Sequence, residues 1–134
     1  MPDEPFQYAV LRVVPCIERE EFLNAGVILF CRTRDFLAAQ VELDEARLAS
    51  MVPGPPLEAI RQHLQDVQAV ASGRPEAGPI ARLPASERFH WLVAPSSTGV
   101  QTSSVHTGLT EDPETALDHL MNRLVRRPGG ATRS

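Results

Sequence analysis

The chain contains no lysine, and all thirteen of its basic residues are arginine. With its abundant Ala, Pro and Gly, that usage reads as the codon bias of a GC-rich bacterial genome, which indicates origin rather than mechanism. Cysteine is scarce too, with Cys16 and Cys31 the only two. If residues 7 to 15 and 27 to 31 form a hairpin turning near Glu20, Cys16 lies opposite about residue 24, roughly 23 Å along the strand from Cys31. A disulfide needs Cα atoms within about 7 Å, so two reduced, partly buried thiols are expected. No stretch approaches the roughly 18 apolar residues of a membrane span. The N-terminal Met1-Pro2-Asp3-Glu4-Pro5 is acidic where a secretory signal would be basic and then apolar. A cytoplasmic protein with no membrane partner is expected. The net charge of −4 offers no long-range attraction to nucleic acid or anionic lipid, so neither is favoured.

Motifs for chemistry are equally sparse. His63, His90, His106 and His119 are scattered, with no HxxxH, HExxH or CxxC spacing, so no metal site is expected. There is no phosphate-loop pattern and no GxSxG elbow, and no cofactor is implied. Glu18, Glu20 and Glu21 near Asn24 read as a solvated charge run.

What the sequence does hold is enough apolar residue for one core: 43% of 134 residues, interrupted by 12 Pro and 8 Gly. One α+β domain over residues 1–134, with short flexible ends, is expected. Gln7 to Val14 is rich in β-branched and aromatic residues and reads as a strand. Asn24-Ala25-Gly26 offers turn chemistry before the unbroken apolar run Val27 to Cys31, which suits a strand buried on both faces. After a polar turn at Arg32 to Asp35, Phe36 to Leu43 alternates: Phe36, Ala38, Gln40 and Glu42 on one face, Leu37, Ala39, Val41 and Leu43 on the other. Short links between sequential strands predict an antiparallel meander.

Asp44 is a fitting cap for a short helix from Glu45 to Met51. Over 55–72, Leu57, Ile60, Leu64, Val67 and Ala71 recur at helical spacing, with Gly73 as the C-terminal cap. Ser86-Glu87 opens a third helical segment with Phe89, Leu92 and Val93 on one face, although FHWLV would also suit a strand, and Trp91 at its margin is read as a core anchor with a polar tip in preference to an exposed aromatic patch for a partner. Thr98 to Val105 reads as a polar strand. Asp112 caps a helix over 113–126 with Pro113 at its first position and the stripe Leu117, Leu120, Met121 and Leu124. The expected architecture is an antiparallel meander sheet with two or three helices on one face, the helices at 55–72 and 113–126 among them.

The densest polar segment, Ser96 to Gly108, combines hydroxyls, an amide and an imidazole. Arg12, Arg88, Gln101, Ser104 and His106 are the candidate binding residues. A hydrolase reading makes His106 a general base, activates Ser104 in preference to Ser103, and uses Arg88 to fix an anion. On a regular strand Ser104 and His106 are ~6.5 Å apart, so contact would need a bulge. No residue is assigned as catalytic.

Phe6 to Pro15, Glu18-Arg19, Glu21 to Cys31, Glu87 to Leu92 and Val105 to Leu109 together resemble a bacterial family catalogued as domain of unknown function 3037. Cys16 and Glu20 depart from the pattern, which has Arg and Gly there, so no anion-binding role for that loop is carried over. The resemblance implies no activity. It implies a context, since members are often encoded beside a HipA-like serine/threonine kinase. The leading reading is therefore an accessory module that binds a partner protein. A small hydrolase or phosphate-ligand enzyme using residues 96–107 is the alternative.

Overall fold

Two long strands carry the sheet. A computed structural model describes residues 3–16, 21–95 and 99–126. In it β1 (Glu4–Cys16) and β2 (Glu21–Cys31) pair antiparallel, from Gln7 against Phe30 to Cys16 against Glu21. Asn24-Ala25-Gly26, read from sequence as a turn, lies inside β2. Leu11 faces Gly26 while Arg12 faces Asn24, which leaves Ala25 as an extra residue in the ladder. Turn-prone residues here make a β-bulge, which sharpens the local twist. The connection expected near Glu20 falls at 17–20, outside the described residues. Cys16 faces Glu21 rather than residue 24. Cys31 is a buried free thiol whose Sγ donates to the Pro5 carbonyl at 3.5 Å.

A single 3-10 turn at Arg32–Arg34, closed by Asp35 in the left-handed region, leads to β3 (Phe36–Val41) and completes the meander. Its faces divide as the alternation predicts, Leu37, Ala39 and Val41 packing on one core and Phe36 and Ala38 on the other. On the far side of β1 lie β4 (Val100–Thr102) and β5 (His106–Thr110), giving the order β3-β2-β1-β4 with β5 continuing along β1. The polar strand expected over Thr98 to Val105 is thus broken after Thr102. All pairings are antiparallel, and the fold is α+β.

The central strand decides the layering. Ile28 and Phe30 enter one core, and Val27, Leu29 and Cys31 enter the other. The first core is closed by α1 (Glu45–Met51), α2 (Leu57–Ser72) and α3 (Ala85–Leu92) through Leu48, Ile60, Leu64, Phe89 and Leu92. Phe30 and Phe89 stack with centroids 5.2 Å apart. Asp44 caps α1 as expected, its Oδ1 accepting from Arg47 N–H at 3.1 Å. Gly73 ends α2 at φ 73°, a conformation that costs a residue with a Cβ about 1 kcal/mol or more.

The second core is closed by α4 (Pro113–Leu124), through Leu117, Leu120 and Met121. The expectation that this helix shares a face with the one at 55–72 is corrected: the helices lie on opposite faces. The physical reason is β2, whose two faces are both apolar and both need cover. Arg126 pins the end of α4 to Glu42, the residue after β3, at 3.0 Å and to its own helix through Asp118 at 3.2 Å.

Candidate functional site

β1 sets the positions of three of the five candidate residues. Its even-numbered side chains point to the α4 face, where Phe6 and Tyr8 join the second core. Arg12 follows Val10 on that face, with Asn24 opposite on β2 and Gln101 opposite on β4. Gln101, Arg12 and Asn24 therefore form one row across three strands. The Arg12 guanidinium lies 4.1 Å from the centroid of the Phe22 ring, a cation–π contact. Asn24 donates from Nδ2 to the Leu124 carbonyl at 2.9 Å, tying this row to the end of α4. Arg12 Nε and Asn24 Oδ1 are buried without a hydrogen-bond partner among the described residues. Buried polar atoms in that state cost free energy, which marks this row as the most polar strain point of the sheet.

Two rows further along, His106 faces Tyr8, and their rings sit 5.3 Å apart. Between these rows the edge is irregular. Ser103 N–H donates to the Val10 carbonyl at 2.9 Å, and the Ser103 hydroxyl accepts from Val10 N–H at 2.9 Å. The β1–β4 and β1–β5 registers are out of step by one residue, so the stretch between Ser103 and His106 holds one residue more than the stretch of β1 it spans, a second bulge flanking β1. The same Ser103 hydroxyl donates to the Ser104 carbonyl at 2.8 Å. It is occupied on both sides by backbone. Ser104 is exposed on the bulge, and among the described residues no hydrogen bond joins it to His106.

Arg88 stands apart from these residues, on the opposite helical layer. It donates from Nη1 to the carbonyls of Val70 at 3.1 Å and Ala71 at 2.7 Å, and from Nε to Leu83 at 2.9 Å. The first two bonds cap the C-terminus of α2, where unpaired carbonyls carry partial negative charge, and the third ties it to the segment before α3. Trp91 is also not the core anchor expected of it. It is 53% exposed and lines a cleft of about 280 Å³ with His63, Val67 and Thr102. On α3 the inward positions belong to Phe89 and Leu92, and Trp91 falls between them.

The outer edge of β5 was not singled out by sequence. Because Val10 and Val14 bond toward β4 through backbone, the even residues of β1 turn their backbone groups to this side. Their β5 partners His106, Gly108 and Thr110 turn inward in return, and Thr107 and Leu109 present N–H and C=O outward. Among the described residues nothing bonds to those groups. The opposite edge of the sheet is guarded: Gln68 Nε2 donates to the Ala39 carbonyl of β3 at 3.3 Å. Beside β5 runs a groove of about 430 Å³ whose far wall is α4, through Thr115, Ala116, His119, Leu120 and Arg123. Its floor at Gly108 has no room for a side chain, since a Cβ there would meet the Phe6 ring at 2.5 Å.

A family described as a protein of unknown function (DUF3037) matches residues 8–125. The chain belongs to this family. No curated protein and no solved structure matches it.

In this DUF3037 chain the family match thus spans the row at Arg12, the bulge at Ser103 and both walls of the groove. Arg12, Gln101 and His106 share a sheet face, whereas Arg88 does not join them. What sequence reading missed were Asn24, hidden in an apparent turn, and the groove wall of His119 and Arg123. The latter had a readable signal, since the two are four apart on the polar flank of a clearly striped helix.

Proposed function

We propose that the chain is a non-catalytic accessory module of the bacterial cytoplasm that binds a partner protein by accepting an extended segment along β5. The observation that carries this reading is the outward-facing backbone of Thr107 and Leu109, unpaired among the described residues. Such an edge is a template for strand addition, which natural sheets otherwise blunt or cover. Leu109, 67% exposed, and Val105, 37% exposed, add apolar surface to the same edge. Binding of this kind needs no nucleophile, metal or cofactor.

A HipA-like kinase encoded nearby is the partner to test first. Co-expression followed by co-purification is the experiment, run on wild type and on Leu109→Pro. Proline at 109 removes an outward N–H while leaving the ladder with β1 intact. Co-purification that is lost in the variant supports the proposal, and a complex indifferent to it places docking elsewhere. The hydrolase alternative gains less from the geometry, because among the described residues no hydrogen bond joins Ser104 to His106, Ser103 has committed its hydroxyl to backbone, and His106 rests on Tyr8.

A further inference from the structure

The groove beside β5 has a charge of one sign. Arg123 and His119 line it, and no carboxylate does. Among the described residues Arg123 makes none of the ion pairs that hold Arg34, Arg61 and Arg126. Among the described residues Arg123 is thus a cation on the groove wall with no carboxylate partner, in a chain of net charge −4. Thr107 and Leu109, whose backbone groups face outward, line the same groove, so the unpaired edge and the basic wall are one continuous surface.

Geometry adds a spacing rule. A chain pairing with β5 points every second side chain to the α4 side, at intervals of about 6.6 Å. His119 and Arg123 are four residues apart on α4, about 6 Å along its axis. The two repeats nearly coincide. For a segment that runs along α4, two carboxylates at alternate positions would meet the imidazole and the guanidinium together. Histidine donates a ring N–H in either protonation state, so the match does not depend on its charge. Ala116 and Leu120, on the same wall, suit small or apolar side chains at neighbouring positions.

We infer that the β5–α4 groove takes an extended, acidic segment of a partner protein, recognised by carboxylates at alternate positions that face His119 and Arg123. This rests on the β5-edge reading and specifies the chemistry of what docks there.

The test uses a fluorescein-labelled peptide of alternating Glu and Val, with Gln-for-Glu and Arg-for-Glu counterparts, titrated by fluorescence anisotropy. The wild-type chain, Arg123→Gln, His119→Ala and Leu109→Pro are compared. The acidic peptide is expected to bind at least tenfold more tightly than the others, and Arg123→Gln to weaken it about fivefold, a typical worth for one partly exposed charge pair. Leu109→Pro should weaken all the peptides that bind. Equal binding of acidic and glutamine peptides, still lost in Leu109→Pro, overturns the acidic inference and leaves edge pairing standing. Binding to none of the peptides overturns the inference, and a partner complex that survives Leu109→Pro removes the edge reading itself. Self-association in sedimentation equilibrium that disappears in Leu109→Pro would make a second copy the occupant and overturn the acidic partner.

Discussion

The Ser103 hydroxyl takes the place of a strand carbonyl, accepting the Val10 N–H at 2.9 Å in a buried position. It is a ladder bond made by a side chain, and it lets the edge bulge without orphaning a donor of β1. Ser103→Ala should therefore destabilise the fold by about 1–3 kcal/mol, the cost of leaving a buried N–H unpaired. Ser104→Ala, on the exposed side of the bulge, should stay within about 0.5 kcal/mol of wild type. Urea denaturation midpoints of the two variants decide the matter, and equal midpoints would contradict this role for Ser103.

Arg88 bonds three carbonyls from two segments, so its loss should loosen the end of α2 and the loop before α3 together. Arg88→Ala is expected to cost about 1–2 kcal/mol, and Arg88→Lys to recover only part of that, because an ammonium lacks the planar fork. Thermal unfolding of the three proteins measures it. Full rescue by lysine would mean that charge near the helix terminus, not the directed bonds, is what matters.

How far the sequence could be read follows from how local each signal was. The alternation in β3, the cap at Asp44, the stripe of α2 and its Gly73 stop, and the whole of α4 are local patterns, and they are where expected. Signals that depend on a neighbour misled. Asn24-Ala25-Gly26 has turn composition, yet the partner strand absorbs it as a bulge. The sequence favoured Ser104 over Ser103 as the functional hydroxyl, and it is Ser103 that β1 engages. The side of the sheet on which α4 lands is invisible in its own stripe; it could have been argued from Val27 to Cys31, whose two apolar faces cannot both be served from one side. Of the candidate site residues, the row at Arg12 and Gln101 was reachable through strand positions. The outward edge of β5 was not, because it depends on hydrogen-bond phase along β1.

Asp112 caps α4 and offers a pH test. Its carboxylate is held below the usual range chiefly by the Thr115 hydroxyl, with the Glu114 N–H helping and Arg34 adding attraction, against a smaller opposing effect of burial. A group whose pKa is lowered on folding stabilises fully above its unfolded pKa of about 3.9, and that stabilisation disappears as pH falls through the folded value. The Tm of wild type should exceed that of Asp112→Ala near neutral pH, and the gap should close below about pH 4. A gap unchanged down to pH 2 would show that the cap acts without its charge.

The second core depends on one helix, and this yields the sharpest test of the layering. Val27, Leu29 and Cys31 are fully buried beneath Leu117, Leu120 and Met121 of α4, among the described residues. Leu117 is 2% exposed, so Leu117→Ala should cost about 2–5 kcal/mol through lost burial and the cavity left behind. A chain ending at Leu109 should expose that sheet face and aggregate, whereas a helix sharing the α2 side would leave Cys31 covered. The thiol reports the difference directly. In a Cys16→Ser background, Cys31 should resist an aromatic disulfide reagent in the intact chain and react only through opening. Leu117→Ala should accelerate that reaction by about 30-fold or more, since each 1.4 kcal/mol of lost stability multiplies the open population by about ten. If Cys31 labels at the same rate in both proteins, α4 is not what seals this face.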